Sequence, residues 1–291
     1  MRNPDSIQLL DACEIHKILR FAIPIFTAEP PLIEIPKSGR EILFAGDTHG
    51  DFETTKRIAA RFLGAPKEKI LVFLGDYIDR APKSGESVSN IAYLFALKCA
   101  YPESIFLLKG NHEANYAIPC FPYEFDTELR GRFGFEWEEL HEQFIDAFRE
   151  MPLMLRTENG IFAAHAGFPQ RRRKLEKSGE SLLMDVVWAD PEISETHRGP
   201  KGTPRFSEAQ LAGFLEGANC RAFVRGHDYH TLGTAIYGAR CLTIFSARQY
   251  AQFGGVLLAR ARLDQKIKNA LDLQVEDVSS GEWKPYKVKV L

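Results

Sequence analysis

Five apolar segments of this chain end at a glycine that is accompanied by aspartate, asparagine or histidine. The endings are GDTHGD (46–51), GDYIDR (75–80), GNHE (110–113), HAG (165–167) and RGHD (225–228). A glycine at the end of a strand lets the backbone turn sharply and leaves room for a ligand. In open α/β sheets, ligands bind beyond the carboxyl ends of the strands. The pattern therefore predicts one site assembled from several strand ends.

Strand-like and helix-like segments alternate in the first half of the chain. The spacing predicts strand, helix, strand, helix and strand over EILFA, DFETTKRIAARFL, KILVFL, GESVSNIAYLFALKCA and SIFLL. A further helix is predicted over EWEELHEQFIDAFREM, a hairpin over LMLRT-ENG-IFAAHAG, and strands over CRAFVRG, CLTIFSA and GGVLLARARL. The predicted class is α/β, and two sheets packed face to face with helices outside would accommodate both halves.

The N-terminal segment is predicted to be a helix that leads into an extended arm. SIQLLDACEIHKILRFAI has apolar residues at helical spacing, and the prolines of PIFTAEPPLIEIP favour an extended chain after it. We therefore divide the chain into a helix and arm, residues 1–39, and one domain, residues 40–291. We find no internal repeat or long linker that would divide it further.

Composition argues against several classes of protein. Lys and Arg total 37 against 39 Asp and Glu, so no basic excess favours nucleic acid or anionic lipid. The five cysteines are scattered and form no CxxC pair, which argues against a disulfide framework and a structural zinc site. No apolar run approaches the ~18 residues of a membrane span, and the N-terminus lacks the pattern of a signal peptide. We expect a cytoplasmic protein without a nucleic-acid or membrane partner.

The polar residues at the strand ends are oxygen and nitrogen ligands without a thiolate, a set that suits Mn²⁺, Fe or Zn²⁺. Six ligands exceed the needs of one tetrahedral ion but suit two ions that share a carboxylate. Asp76 is the natural bridge, since its strand is the middle one of the first three. His230 is a rival to His227, but only His227 falls at the strand end. The candidate ligands are Asp47, His49, Asp76, Asn111, His165 and His227.

Each of these residues alone has a commoner structural role, because Asp often precedes a turn and a lone His is usually a satisfied polar residue. Only the joint pattern of Gly-flanked strand ends favours a metal site.

In this order, the five motifs resemble the signature of the phosphoprotein phosphatase family of metal-dependent serine/threonine phosphatases, part of the calcineurin-like metallophosphoesterase superfamily. The resemblance runs from about Glu41 to Leu258 and includes WADP (188–191) and LTIFSARQY (242–250).

The resemblance implies a four-layer α/β/β/α metallophosphoesterase fold, in which two packed mixed sheets are flanked by helices, so that residues 40–291 form a catalytic domain. It also implies a distribution of the ligands over two divalent ions. Asp47 and His49 would hold one ion, Asp76 would bridge, and Asn111, His165 and His227 would hold the second. The chain departs from the family pattern at Ala81, Ala166 and Gly226 and in ARQY (247–250), but none of these departures removes a ligand.

The charges of such a site predict the reaction. Phosphate monoesters are dianions, and two divalent ions would neutralise the ester and generate hydroxide near neutral pH. The sequence contains neither a Cys-x5-Arg loop nor an Asp-x-Asp pair, so water is the expected nucleophile. His112, held by Asp79, is the expected general acid for the leaving oxygen. We expect Glu113 to form a structural salt bridge.

Phosphate also requires a bidentate donor, and Arg80 directly follows Asp79. A second arginine is expected in THRGPKGTPRF, where Arg198 matches the family dipeptide RG and Arg205 is the alternative. Asn111 is expected to contact phosphate as well as metal. Tyr250 either lines the cleft or belongs to the core, because an aromatic residue at a strand end is consistent with both.

Three functions remain. The first is a serine/threonine protein phosphatase acting on phosphoserine and phosphothreonine proteins, with Mn²⁺ favoured as the metal. The second is a dinucleoside polyphosphate hydrolase or phosphodiesterase, although such relatives tend to have GDxQG where this chain has GDTHG. The third is a scaffold that kept the fold without activity, which the complete set of ligands disfavours. No feature of the sequence specifies a regulatory subunit.

Overall fold

Two mixed β-sheets face each other in the computed structural model of this chain, which describes residues 3–170, 175–177, 179–193 and 200–291. The strands are β1 (Leu32–Ile35), β2 (Glu41–Ala45), β3 (Lys69–Phe73), β4 (Ile105–Leu107), β5 (Met154–Thr157), β6 (Ile161–Ala164), β7 (Asp190–Pro191), β8 (Arg205–Phe206), β9 (Ala222–Arg225), β10 (Thr234–Ile236), β11 (Cys241–Thr243), β12 (Leu257–Arg262), β13 (Gln274–Asp277), β14 (Lys284–Pro285) and β15 (Lys289–Val290).

The helices cover the outer faces of the sheets. They are α1 (Ala12–Ala28), α2 (Phe52–Leu63), α3 (Glu86–Ala100), α4 (Phe125–Phe133), α5 (Trp137–Glu150), α6 (Glu180–Leu183), α7 (Glu208–Gly217) and α8 (Ala251–Gly254). Short 3₁₀ turns cover Pro4–Leu9, Gly134–Glu136, Tyr229–Thr231, Arg248–Tyr250 and Ala270–Asp272, and a π-helical turn covers Met184–Trp188. None of the described helices is both long and apolar enough to cross a membrane.

The order of the strands brings the two halves of the chain together. One sheet has the order β14-β13-β12-β2-β3-β4, and the other has the order β1-β5-β6-β9-β11-β10-β15. The strands β2, β3 and β4 are parallel neighbours, as are β6, β9 and β11. The predicted hairpin is confirmed, since β5 and β6 pair in antiparallel register. Because parallel neighbours end at the same edge, each sheet presents a row of carboxyl ends.

Alternation along the strands builds the layers. In β2, Ile42 and Phe44 belong to the apolar core between the two sheets, whereas Leu43 and Ala45 pack under the helices α1 to α5. The outer face of the other sheet packs against α6 and α7 through residues such as Phe223. Successive side chains of a strand point to opposite faces of the sheet, and here both faces are buried. The predicted α/β class and four-layer arrangement are confirmed.

The N-terminal helix differs from the prediction. It was expected to end before Pro24, but α1 continues to Ala28 with Pro24 inside it. Proline removes one backbone hydrogen bond, and the burial of Phe26 against Phe95, with ring centroids 5.2 Å apart, favours the continued helix. The arm then forms β1, which pairs with β5. The division of the chain at residue 39 stays a prediction.

We predict that Phe44→Ala lowers the free energy of unfolding by about 3–5 kcal/mol, because the removed ring leaves a cavity between the sheets. Phe135→Ala is the matched control, since the Phe135 side chain is 92% exposed while Phe44 is fully buried. Its effect should stay within about 0.5 kcal/mol. Urea titration of both variants measures the two values. Equal losses in the two variants would contradict the packing of one sheet on the other.

Candidate active site

The carboxyl ends of β2, β3 and β4 meet those of β6 and β9, and all six predicted ligands lie in this region. His227, after β9, donates its backbone N–H to the Asp47 carboxylate, after β2, with N···O distances of 3.1 and 3.2 Å. An isolated parallel bridge between Asp47 and Phe245 joins the two sheets at the same point. The structure therefore brings together residues that are up to 180 positions apart in the sequence.

Four acceptor atoms converge on one side of this region. The Oδ1 atom of Asn111 lies 3.0 Å from both His165 Nε2 and His227 Nδ1, and those two nitrogens are 3.2 Å apart. Asp76 Oδ1 lies 3.4 Å from His165 Nε2. Ligand atoms about 2.1 Å from a shared ion are separated from one another by roughly 3.0–3.5 Å. The observed distances therefore match those of ligands around one metal.

The tautomer of His165 explains why a cation fits there. Its Nδ1 atom lies 3.1 Å from the carbonyl oxygen of Leu74, and since a carbonyl only accepts, Nδ1 carries the proton. Nε2 therefore points a lone pair at the oxygen atoms of Asn111 and Asp76. Acceptors that face each other without water repel, and a divalent cation between them turns the repulsion into attraction.

The same pattern recurs on the other side of Asp76. His49 directs Nδ1 to the Ile78 carbonyl at 3.1 Å, and its Nε2 lies 3.6 Å from Asp76 Oδ2 and 3.9 Å from Asp47 Oδ2. Among the described residues, two groups near Asp76 could each hold a metal ion: His49 with Asp76 and His112, and Asp76 with His165 and His227. Asp76 is common to both groups.

Burial sets the charges of these groups. Desolvation lowers the pKa of His165 to about 4 and lowers the pKa values of His49 and His227 well below the usual range, so all three imidazoles are neutral near pH 7. A neutral imidazole is the form that binds a metal. Burial opposes the charge of Asp76 as well, but the surrounding histidines outweigh it and lower the pKa of that carboxyl.

His112 has the opposite charge preference. Its Nδ1 atom lies 2.5 Å from Asp79 Oδ2, and its Nε2 atom, 4.0 Å from Asp76 Oδ2, has no hydrogen-bond partner in the described part of the chain. Burial favours the neutral imidazole, but the charge of Asp76 and the hydrogen bond to Asp79 outweigh it and raise the pKa of His112 well above its usual value. The structure therefore favours a protonated imidazole at this position.

Asp79 is itself held by a helix that the sequence did not predict. Its Oδ1 atom accepts from the backbone N–H groups of Glu124 at 2.7 Å and Phe125 at 2.9 Å, at the start of α4. A helix N-terminus stabilises a carboxylate because its N–H groups have no partner within the helix. This contact fixes the carboxylate that orients His112.

Arg80 lies at the edge of the same cleft. Its Nη1 atom donates to the Tyr250 hydroxyl at 3.4 Å, and its Nη2 atom donates to the Phe121 carbonyl at 3.2 Å. Tyr250 is 9% exposed and packs in the core between the sheets, and its hydroxyl reaches the cleft only through its contact with Arg80. The cleft has a volume of about 420 Å³ and is lined by Asp76, Arg80, Asn111, Cys120, Trp188 and His227, among others.

Arg198 and Arg205 are the two candidates for the second phosphate arginine. Arg198 lies outside the described residues. The Nη2 atom of Arg205 donates to the backbone carbonyls of Pro191 at 3.1 Å and Glu192 at 2.9 Å, beside the short β7-β8 pair. His230, the rival to His227, belongs to none of the potential metal-binding groups found among the described residues.

Glu113 corrects the sequence interpretation. No salt bridge of Glu113 occurs in the part of the chain that the structure describes. Its carboxylate instead accepts three backbone N–H groups, from Asp76 and Tyr77 at 2.8 Å and from Gly110 at 2.9 Å. One side chain therefore ties the ends of β3 and β4 together. The signal in the sequence was the acidic residue that follows GNH, but its partners are backbone groups that spacing does not reveal.

Left-handed backbone is concentrated at the site. Positive φ angles occur at the non-glycine residues His49 (42°), Asp76 (54°), Asp79 (64°), Arg80 (55°) and His227 (67°). Such conformations cost about 1–3 kcal/mol each and persist only where the surroundings enforce them. Gly75 is required for the same reason, since its φ is 111° and a Cβ there would lie 2.5 Å from the Gly110 nitrogen.

Gln249 supports two of these strained residues, and the sequence analysis did not find it. Its Nε2 atom donates to the carbonyls of His49 at 2.9 Å and Arg80 at 3.2 Å. The neighbouring Arg248 forms an ion pair with Asp51, in which Nη2 and Oδ1 are 2.7 Å apart. Both residues belong to ARQY, where the chain departs from the family pattern, and this departure was the available signal.

WADP also contributes to the site. Its Asp190 forms a buried ion pair with Arg225, with Nη2 and Oδ1 3.1 Å apart, and lies 4.0 Å from His227 Nε2. This contact restrains the turn that carries His227. The pair is not by itself evidence of added stability, because both charges lose their hydration on burial.

This chain belongs to the calcineurin-like phosphoesterase family, whose model matches residues 40–230. Among curated proteins, it is 30% identical to a probable serine/threonine-protein phosphatase of Encephalitozoon cuniculi over 74% of this chain and 48% of the relative. It is 29% identical to a serine/threonine-protein phosphatase of Caenorhabditis elegans over 82% of this chain and 54% of the relative. The chain thus spans about half the length of these relatives. The predicted relation to this superfamily is confirmed.

Solved structures share the fold. A serine/threonine phosphatase from Saccharomyces cerevisiae with similarity to human phosphatase PP5 aligns with a TM-score of 0.75 at 20% identity, covering 96% of this chain and 90% of that one. A cold-active protein-tyrosine phosphatase of a psychrophilic Shewanella species aligns with a TM-score of 0.63 at 16% identity, covering 91% and 84%. The family implies divalent metal ions, and the acceptor clusters around Asp76 fit them.

We predict that Glu113→Gln lowers the free energy of unfolding by about 1–3 kcal/mol, because the amide cannot accept all three buried N–H groups. Glu139→Gln, an equal change of charge on the exposed face of α5, is the matched control and should have little effect. Thermal or urea unfolding measures both. A Glu113→Gln variant as stable as the control would show that the carboxylate does not hold the two strand ends together.

Proposed function

We propose that this protein is a metal-dependent serine/threonine protein phosphatase, a phosphoric monoester hydrolase with a dinuclear metal centre. The observation that carries the proposal is the position of His112. Its Nε2 atom is buried and lies 4.0 Å from Asp76, the carboxylate common to both acceptor clusters. A proton donor at the rim of a divalent-cation site suits the hydrolysis of an alkyl phosphate, whose leaving oxygen is a strong base.

The proposed ligands are the six polar side chains that follow the strand ends. Asp47 and His49 would hold one ion, Asp76 would bridge, and Asn111, His165 and His227 would hold the second. Two bound divalent ions, Mn²⁺ being favoured, would neutralise the phosphate dianion and activate water for attack. The neutral imidazoles and the left-handed turns of this chain would hold the ligand atoms in place before the ions arrive.

The proposed substrate contacts lie at the mouth of the cleft. Arg80 would grip two phosphate oxygens with its guanidinium group, and Tyr250 would steer that group through its hydroxyl. Asn111 would contact phosphate from the side of the metal cluster. Arg198 stays the proposed second arginine, and the carbonyl contacts of Arg205 favour a structural role for that residue.

His112 would protonate the leaving oxygen of the substrate. Serine and threonine alkoxides are strong bases and leave poorly without a proton. Asp79, anchored by the start of α4, would orient the imidazole and keep it charged. The names of the curated relatives support phosphoserine and phosphothreonine proteins as the substrates. A cytoplasmic location without a membrane or nucleic-acid partner stays a prediction.

The test of the substrate class is turnover with Mn²⁺ of a phosphoserine peptide against a dinucleoside polyphosphate. We expect the peptide to be hydrolysed with the higher kcat/KM. Preference for the dinucleotide would instead assign the protein to the alternative, a dinucleoside polyphosphate hydrolase. The same assay, repeated with a chelator, tests the proposed metal requirement. Full activity in the presence of the chelator would reject the dinuclear mechanism.

We predict that Asp76→Asn loses more bound metal than Asp47→Asn, because Asp76 is proposed to touch both ions and Asp47 only one. Elemental analysis of Mn²⁺-loaded protein provides the stoichiometry. Asp264→Asn, on the surface, should bind as much metal as the unchanged protein. Two ions per chain in Asp76→Asn would contradict the bridging role.

We predict that His112→Asn loses on the order of 10²- to 10⁴-fold in kcat with a phosphoserine peptide but much less with p-nitrophenyl phosphate. The nitrophenolate leaves without a proton, so only the peptide needs the acid. Asp79→Asn should show the same bias more weakly, and His16→Asn, on α1, should show none. An equal loss for both substrates, with metal content intact, would mean that His112 only positions the phosphate.

A further inference from the structure

A thiol lies beside the proposed general acid and has no role in the phosphatase mechanism. The ligand atoms of Asp79, His112 and Cys120 all lie within 4.8 Å of one another. All three residues are buried, with exposed fractions of 0%, 1% and 8%. This third group differs from the two clusters around Asp76, because it alone contains a sulfur atom.

His112 belongs both to this group and to the group of His49 and Asp76, so the third group shares a side chain with the proposed dinuclear site. The Nε2 atom of His112 is buried and has no hydrogen-bond partner among the described residues. Cys120 and Arg80 both line the cleft, and Phe121, the next residue, is 90% exposed at its mouth. An ion can therefore reach this group from solvent, and the cleft leaves a coordination position open for water or phosphate.

The donor set selects the ion. Thiolate, imidazole and carboxylate together suit Zn²⁺, which binds sulfur at about 2.3 Å and nitrogen at about 2.0 Å in tetrahedral sites. Ligand atoms around such an ion are separated by roughly 3.3–3.8 Å, so small side-chain rotations close the present group on a metal. Mn²⁺ prefers oxygen ligands, and the six proposed ligands of the dinuclear centre, Asp76 among them, contain no sulfur. A thiophilic ion would therefore favour the group that contains Cys120.

We propose that Asp79, His112 and Cys120 form an inhibitory site for Zn²⁺ or another thiophilic divalent ion. Binding releases the thiol proton and an imidazole proton to solvent as the metal–sulfur and metal–nitrogen bonds form. Coordination at His112 Nδ1 breaks the bond to Asp79, and coordination at Nε2 occupies the atom that would carry the proton for the leaving oxygen. Inhibition rests on the proposed phosphatase function, whereas binding of the ion does not.

The thiol is suited to this role rather than to nucleophilic chemistry. Burial raises the pKa of the Cys120 thiol, so the sulfur keeps its proton until a metal displaces it. The redox state of the sulfur does not change, and no oxidant is required. Binding would thus depend on the free metal concentration and on pH, and not on the redox state of the sulfur.

The first experiment tests binding without reference to activity. Cd²⁺, a thiophilic probe, is added to Mn²⁺-loaded protein, and the thiolate-to-metal absorption in the ultraviolet is recorded. We expect the band in the unchanged protein and in Cys220→Ser, whose buried sulfur lies 3.5 Å from the Ala218 carbonyl, away from the cleft residues. The band should be lost in Cys120→Ser. A band that survives in Cys120→Ser, or that never forms, would overturn the site.

The second experiment tests the consequence. Zn²⁺ is titrated into Mn²⁺-loaded enzyme during turnover of a phosphoserine peptide, and each variant is referred to its own rate without Zn²⁺. Loss of one ligand should raise the half-inhibiting concentration on the order of 10- to 100-fold in Cys120→Ser but not in Cys220→Ser. Equal inhibition of all three proteins would place the effect in the dinuclear centre and reject the inhibitory site. Absence of any turnover would reject the phosphatase function, while the Cd²⁺ band would still report binding.

Discussion

The repulsion between buried acceptor atoms is the constraint on which the site depends. His165 must present a lone pair to Asn111 and Asp76, because its other nitrogen donates to the Leu74 carbonyl. The hydrogen bond to Leu74 therefore keeps the proton of His165 away from these acceptors. The folded chain holds its acceptors in a high-energy arrangement, and a cation is the simplest species that lowers that energy.

Such an arrangement needs support from groups that touch no ligand. Glu113 holds the backbone of Asp76 through an N–H group, and Gln249 holds the carbonyl of His49, two residues whose φ angles are positive. Each of these supports joins segments that are distant in sequence, by 37 and 200 positions. The strain of the turns is thus balanced by long-range hydrogen bonds, as expected where function requires a fixed geometry.

The sequence predicted the parts of the site that follow from local pattern. Apolar runs identify β2, β3, β4, β6 and β9, and their parallel register carries the polar residues that follow them to one edge. What pattern does not encode is the partner of a side chain. The backbone contacts of Glu113, the continuation of α1 past Pro24 and the anchoring of Asp79 by α4 all depend on tertiary packing. The position of Cys120 beside Asp79 and His112 could not be predicted, because these neighbours lie in other segments of the chain.

The four histidines of the site have the same side chain and different charge preferences, and their surroundings explain the difference. His49 and His165 each donate an N–H hydrogen bond to a neutral carbonyl. Burial therefore dominates their pKa values, and the imidazoles stay neutral. His112 lies near the charge of Asp76 and donates its Nδ1–H to the carboxylate of Asp79, and both offset the cost of burying the charged ring. Surroundings can shift the pKa values of similar groups in opposite directions. Within one site, some of these groups can then bind metal while another acts as an acid. The position of one carboxylate, fixed by the first turn of α4, therefore separates the proposed acid from the proposed ligands.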